Sequence, residues 1–178
     1  MQSKEIVIGV SGGVAAYKAA AIVSQLVQKD AYVTVVLTEA ARHFVGAATF
    51  AALSGRPVCT DVFDPAFPLG AHIELARSAD LLCVVPATAN FIGKAAQGLA
   101  DDLLSTLYLS FTKPVLFAPA MNCEMWDKPS VQRNVEQVTK DGVVLIGPEE
   151  GWLSCRQRGM GRMSDPEAIV ATIAKTLG

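Results

Sequence analysis

Short apolar runs rich in β-branched residues alternate along this chain with longer stretches whose apolar positions recur at helical spacing. Ile6-Val7-Ile8-Gly9-Val10 is the first such run and reads as a strand buried on both faces. Ser11-Gly12-Gly13 breaks it, and the spacing of Ala15, Ala19, Ile22, Val23, Leu26 and Val27 predicts a helix over about 14–28. A second strand is predicted over 32–37, ended by Thr38-Glu39, and a mostly helical stretch over 40–53, stopped by Ser54-Gly55 and Pro57. Residues 60–71 read as a loop with Pro65 and Pro68. Leu81-Leu82-Cys83-Val84-Val85 is the next strand, 88–110 a helical region broken near Gly98, 114–118 a strand, 130–140 a helix stopped by Gly142, and 143–146 the last core strand. A Gly-rich loop is expected over 151–163, and Ser164-Asp165-Pro166-Glu167 predicts a capping box that opens a final helix to about residue 177.

Strands that alternate with helices throughout predict an α/β protein. The expectation is a single doubly wound, Rossmann-like or flavodoxin-like domain over 1–178, with a central parallel sheet and helices on both faces. No linker, internal repeat or low-complexity tract interrupts the pattern. In such folds ligands bind beyond the carboxyl ends of the strands. The segments to inspect are therefore Ser11-Gly12-Gly13, Thr38-Glu39, Pro86 to Asn90, Pro119 to Asn122, and Gly147 onward.

Composition narrows the class. Of 178 residues, 51% are hydrophobic and only 18% charged, which excludes a disordered or fibrous chain and leans toward surface buried between subunits. The net charge of -2 offers no basic field for nucleic acid or anionic lipid. No apolar run reaches the length of a membrane span. The first residues run straight into a strand-like segment, so no signal peptide is expected. Cys59, Cys83, Cys123 and Cys155 form no CxxC pair, which fits a reducing cytoplasm better than a disulfide scaffold.

Each strand-end segment admits a chemical and a plain reading. Ser11-Gly12-Gly13-Val14 joins a strand to a helix, where bare amides suit a phosphate; a tight turn without a ligand fits equally. The spacing is neither a dinucleotide fingerprint nor a P-loop. Thr38 can add a hydroxyl to such a phosphate or cap a helix. Ala87-Thr88-Ala89-Asn90 has small residues that let a flat ring lie close and an amide for its polar edge; a capped helix start is the alternative. Asp101-Asp102, without a histidine, does not make a metal site. His72 can serve as acid or base near neutral pH, although a lone histidine is more often structural. Asn122 can hold a carboxylate without neutralising it, with Met121, Met125 and Trp126 walling a pocket; core packing with a helix cap competes. Cys155 sits among Gly151, Gly159, Gly161, Arg156, Arg158 and Arg162, as a closing flap requires; an ordinary hairpin loop is the other reading.

Taken in order, Ser11 to Lys18, His72-Ile73-Glu74-Leu75-Ala76, Pro86 to Asn90, Asp101 to Ser105, Pro119-Ala120-Met121-Asn122 with Met125-Trp126, and Ser154-Cys155 with Gly159 to Met163 resemble the homo-oligomeric flavin-containing cysteine decarboxylases. Each motif is weak, but the ordered set spans nearly the whole chain. The resemblance implies FMN as cofactor. Its phosphate would lie at Gly12, Gly13, Val14 and Thr38, with Ser105 joining, and its ring and ribityl chain at Ala87, Thr88, Ala89 and Asn90. It further implies His72 as an active-site histidine, Asn122 and Met125 on the substrate, and Cys155 on a flap over about 150–163. The substrate implied is 4′-phospho-N-pantothenoyl-L-cysteine, decarboxylated to 4′-phosphopantetheine for coenzyme A biosynthesis with no net redox change. The assembly implied is a trimer, or a dodecamer of trimers, in the cytoplasm. Rival expectations are a peptidyl-cysteine decarboxylase of lantibiotic maturation and a non-catalytic flavin-binding regulator. A flavin prenyltransferase and a simple electron carrier fit less well, given His72, Pro119 to Asn122 and Cys155. The chain reads as either a stand-alone decarboxylase or the first domain of a bifunctional enzyme carrying a synthetase.

Overall fold

The computed structural model describes residues 1–178. In chain order its elements are β1 (Glu5–Val10), α1 (Ala16–Val27), β2 (Tyr32–Leu37), α2 (Glu39–Arg42), α3 (Ala47–Ser54), α4 (Ala71–Ser78), β3 (Leu81–Ala87), α5 (Ala89–Gln97), α6 (Leu103–Ser110) and β4 (Val115–Pro119). There follow α7 (Cys123–Trp126), α8 (Pro129–Lys140), β5 (Val144–Leu145), β6 (Glu149–Trp152), β7 (Arg158–Arg162) and α9 (Pro166–Leu177). β1 to β5 form one parallel sheet in the order β2-β1-β3-β4-β5.

The continuous apolar strands are explained by burial on both faces. Ile6, Ile8 and Val10 of β1, with Leu81, Cys83 and Val85 of β3, pack on one side against α1 and α9 through Ile22, Leu26, Ile169 and Ile173. Their neighbours Val7, Leu82 and Val84 point to the other side and meet Leu75, Phe91, Ile92, Leu104 and Val138. The chain leaves β1 toward β2 on one side and reaches β3 on the other, so the strand order reverses between β1 and β3. At such a switch point the loops that follow the two strands diverge and leave a crevice. Here those loops carry Ser11 to Ala15 and Thr88.

Three local expectations are corrected. The helical stretch over 40–53 is two helices, because Gly46 is extended and starts α3 afresh. The segment over 151–163 is an antiparallel hairpin, β6 with β7, pairing Glu149 with Arg162, Gly151 with Gly159 and Trp152 with Arg158. Ser164 does not cap α9: it is buried, and Asp165 holds the N-cap position without using its side chain to cap. No helix is long and apolar enough to cross a membrane.

Candidate functional site

The crevice at the switch point opens into two adjoining cavities. The larger, about 780 Å³, is lined by the turn Gly12 to Ala15, by Tyr17 and Lys18 of α1, by Thr88 and Ala89, by Ala120, Met121, Asn122 and Met125, and by the inner face of the β6–β7 hairpin. The smaller, about 390 Å³, is lined by Ser11, Gly12, Thr38, Glu39, Ala40, Thr88, Asn90, Phe91, Lys94 and Asp102. Gly12 and Thr88 belong to both, so the two form one trough across the strand ends.

Local sequence builds each wall. The amides of Gly12, Gly13 and Val14 donate to no group of the protein, while Ala16 N–H closes the first turn onto Gly13 O at 2.9 Å. Gly12 lies so close to Ala40 that a Cβ there would strike the Ala40 Cβ and come within 2.8 Å of its carbonyl carbon. Only a glycine lets this turn and the start of α2 share the trough. Thr38 and Thr88 are extended N-caps whose hydroxyls accept from Ala41 N–H at 3.2 Å and Phe91 N–H at 3.4 Å. Buried Ser11 ties the loops together: its hydroxyl donates to Pro86 O at 2.7 Å and accepts from Thr88 N–H at 3.0 Å. Free amides at helix starts, glycines and threonine hydroxyls fit a phosphate, and the small residues Ala89 and Ala120 leave room for a flat ring.

Lys94 and Asp102 both line the smaller cavity. Lys94 Nζ lies 2.7 Å from Asp101 and 2.9 Å from Asp102. Burial lowers the Lys94 affinity for its proton, but hydrogen bonds to the two carboxylates outweigh it and the net pKa is raised. Burial likewise pushes the Asp102 carboxyl up, yet the Ser105 amide, the Lys94 ammonium and the Ser105 hydroxyl together hold it below the ordinary carboxylate value.

On the wall of the larger cavity, Asn122 is the N-cap of α7, its Oδ1 accepting from Met125 N–H at 2.8 Å. That cap fixes the amide and leaves its Nδ2 donor unengaged. The hairpin is pinned to the same loop: Met121 N–H donates to Gly161 O at 3.0 Å, and Gly161, at φ +128°, brings its α-carbon against the Met121 carbonyl. Cys123 turns away, its thiol near Glu124 and Gln157. Burial and the hydrogen bond to Glu124 raise its pKa, which keeps it a thiol.

The structure brings together Gly12, Gly13, Val14, Thr38, Thr88, Ala89, Asn90, Asn122 and Met125 along this trough. Four expected site residues lie elsewhere within the chain. Ala87 is buried at the end of β3, one residue short of the trough. Ser105 is fully buried in the capping box of α6, its hydroxyl spent on Asp102, so it offers nothing to a phosphate. His72, in the first turn of α4, lines neither cavity, and its buried Nδ1 has no partner. Cys155 is exposed at the hairpin tip, one residue beyond Ser154, which does line the larger cavity. Sequence reasoning missed Tyr17, Lys94 and Trp152 as lining residues. Their helical or strand register, once known, points them at the crevice.

An α/β protein with a phosphate-suited turn and a ring-sized space at its switch point is a nucleotide- or flavin-binding protein by architecture. The family model described as Flavoprotein matches residues 1–178, and the chain belongs to that family. It is 48% identical over 176 residues to the coenzyme A biosynthesis bifunctional protein CoaBC of Bacillus subtilis (strain 168), covering 98% of this chain and 43% of that protein. The corresponding protein of Mycobacterium tuberculosis (strain ATCC 25618 / H37Rv) is 49% identical over 176 residues, covering 98% of this chain and 41% of its own length. The chain thus spans less than half the length of these relatives. Among solved structures, a cysteine-to-serine mutant of PPC decarboxylase complexed with pantothenoylaminoethenethiol superposes with a TM-score of 0.89 at 31% identity, covering 98% of both chains. The FMN-binding protein AtHal3 does so with a TM-score of 0.85 at 31% identity, covering 98% of this chain and 96% of the other.

Proposed function

We propose that this chain is the FMN-dependent decarboxylase of 4′-phospho-N-pantothenoyl-L-cysteine, releasing CO₂ to give 4′-phosphopantetheine in coenzyme A biosynthesis. The observation that carries the reading is one cavity lined both by bare helix-start amides, Gly12 to Val14, and by a fixed, unengaged amide donor, Asn122. The CoaBC relatives and the PPC decarboxylase structure support it. A peptidyl-cysteine substrate and a non-catalytic regulator are less favoured by those relatives.

When bound, FMN would supply a two-electron acceptor and donor for the C–S carbon of the substrate. Gly12, Gly13, Val14 and Thr38 would hold its phosphate, and Thr88, Ala89 and Asn90 would line its ring and ribityl chain. Asn122 Nδ2 donates to the substrate carboxylate and orients it without adding the positive charge that would favour retaining it. Met125 packs beside that carboxylate. The hairpin covers the substrate and excludes water, and it carries Cys155 at its tip, where closure brings the thiol toward the substrate for the closing reductive step.

His72 acts on the substrate of a neighbouring subunit, in a trimer or a dodecamer of trimers. Its absence from its own chain's trough supports that reading, as do Phe63 and Leu69, large apolar side chains exposed on one chain and outside both cavities. Four free thiols suit the reducing cytoplasm.

The test is incubation of the yellow, FMN-loaded protein with 4′-phospho-N-pantothenoyl-L-cysteine, with CO₂ and product mass followed and light scattering recorded. Expected are one CO₂ per phosphopantetheine and a particle of three chains or a multiple. A protein that binds no FMN, or turns over only peptides ending in cysteine, refutes the assignment; an active monomer refutes the shared site.

A further inference from the structure

The β6–β7 hairpin pairs with no other strand. A two-stranded ribbon is marginal in water by itself, so its position depends on what its root is tied to. Glu149 and Arg162 face each other as the root pair. Arg162 Nη2 donates to Glu149 Oε2 at 2.6 Å, and Nη1 donates to Asp165 Oδ1 at 3.1 Å. The same Asp165 oxygen receives Lys18 Nζ at 3.4 Å. Lys18 belongs to α1, one turn beyond the anion-suited turn at Val14, and lines the larger cavity with Arg162.

Two features mark this chain of charges as a built connection. Asp165 has the extended backbone of an N-cap, and an aspartate there ordinarily accepts from an amide of its own helix. It does not; both carboxylate oxygens face Arg162 and one also faces Lys18. The Arg162 stem also lies across Gly151 of the opposite strand, where a Cβ would come within 2.5 Å of the Arg162 Cδ and 2.7 Å of its Nε. The bare strand backbone is what lets the guanidinium reach both acids. Single half-exposed ion pairs contribute little, but a linked set with short, geometrically fixed contacts does more.

We propose that the chain Lys18–Asp165–Arg162–Glu149 couples the anion-binding turn before α1 to the β6–β7 hairpin, with Asp165 as its central positioning residue. An anion held at Gly12 to Val14 fixes the start of α1, and with it Lys18. Through Asp165 and Arg162 that fixes the root of the hairpin. The site thus gains an ordered cover only where the cofactor end is filled. The inference rests on the proposed reading of the trough for its ligand, FMN, and of the hairpin as its cover.

Hydrogen exchange read by mass spectrometry tests it on the intact protein, with and without FMN. Removing FMN should speed exchange in the peptide covering 149–162 of the wild type by about three- to tenfold. In Asp165→Asn the hairpin should exchange at that faster rate whether or not FMN is bound. The Asp165 side chain makes no capping bond to α9, so the substitution takes none from the helix start. Lys18→Met should shift the hairpin in the same direction although it lies on another element, the double variant should go no further than Asp165→Asn alone, and Asp165→Glu should restore part of the protection. Peptides from β1 and β3 serve as the reference and should not change. The proposal is overturned if Lys18→Met leaves the hairpin unaltered, if FMN protects the hairpin equally in wild type and Asp165→Asn, or if β1 and β3 loosen in parallel. A wild-type chain that shows the coupling yet releases no CO₂ would refute the decarboxylase reading and uphold the coupling.

Discussion

Replacing Gly12 by alanine places one methyl group between the phosphate-suited turn and α2. The added carbon would overlap the Ala40 Cβ and stand 2.8 Å from the Ala40 carbonyl carbon and 3.0 Å from its oxygen. Non-bonded carbons rest at about 3.5–4.0 Å, so the two segments must part by roughly 1 Å. Two of the three obstructing atoms are backbone, and no rotamer change removes them. Overpacking of this kind costs about 1–3 kcal/mol. The four-residue α2 is the weaker partner and yields, drawing Thr38 away from the Gly12 amide. If the whole cost falls on FMN binding, affinity drops roughly 5- to 150-fold. Gly13→Ala is the internal control: its Cβ meets only the Thr88 methyl, at 3.2 Å, a tight contact with a side chain that can shift. Its loss should stay below about fivefold. Titration of apoprotein with FMN, followed by flavin fluorescence, gives both numbers, and thermal melts show whether the variants are folded. A Gly12→Ala protein that binds FMN within about twofold of wild type, or a Gly13→Ala protein that binds more weakly than Gly12→Ala, would refute the close-approach argument.

Asn122→Asp keeps the oxygen that caps α7 but loses the Nδ2 donor and sets a second carboxylate against the substrate's; turnover should fall by at least about 100-fold with FMN and melting temperature retained, as a kinetic assay and flavin absorbance will show. Cys155→Ser should still release CO₂ yet accumulate an enethiol about two mass units below phosphopantetheine, and full-yield phosphopantetheine in single-turnover mass analysis would remove Cys155 from the chemistry. Asp102→Ala removes the cap of α6, for about 0.5–2 kcal/mol at neutral pH. Because the folded Asp102 carboxyl is held below its ordinary value, that stability is present above the unfolded value of about 3.9 and disappears as pH falls through the folded one. Denaturant melts of the two proteins should therefore converge under acid conditions.

The sheet was legible because strands buried on both faces carry apolar residues at nearly every position, a signal that survives without knowledge of the neighbours. The hairpin was not. Glu149-Glu150-Gly151-Trp152 and Arg158 to Arg162 have no apolar alternation, since the ribbon covers a cavity rather than a core. The capping box read at Ser164 to Glu167 failed by one residue: burial of Ser164 moves the helix start to Asp165, and the charges of Arg162 and Lys18 then claim its carboxylate. Gly12, Thr88 and Asn122 were found from local chemistry, because a bare turn and an N-cap are both local facts. The position of His72 depends on how α4 packs against the other face of the sheet, and nothing in the motif around it states that.

The four cysteines divide into a silent pair and a reporting pair. Cys83, within β3, is fully buried and its thiol is pushed up to about 12 by that burial; Cys59, beside β2, is buried and raised to about 11, by burial first and the Asp64 charge second. Neither offers thiolate or access to an alkylating reagent in the folded protein. Cys155 is exposed at the hairpin tip, and Cys123 is half-buried under the same ribbon with its proton held by Glu124. A maleimide fluorophore added to the native wild-type chain will therefore mark the hairpin tip first. It provides an optical reporter of the cover over the trough without the engineering of a cysteine-free background.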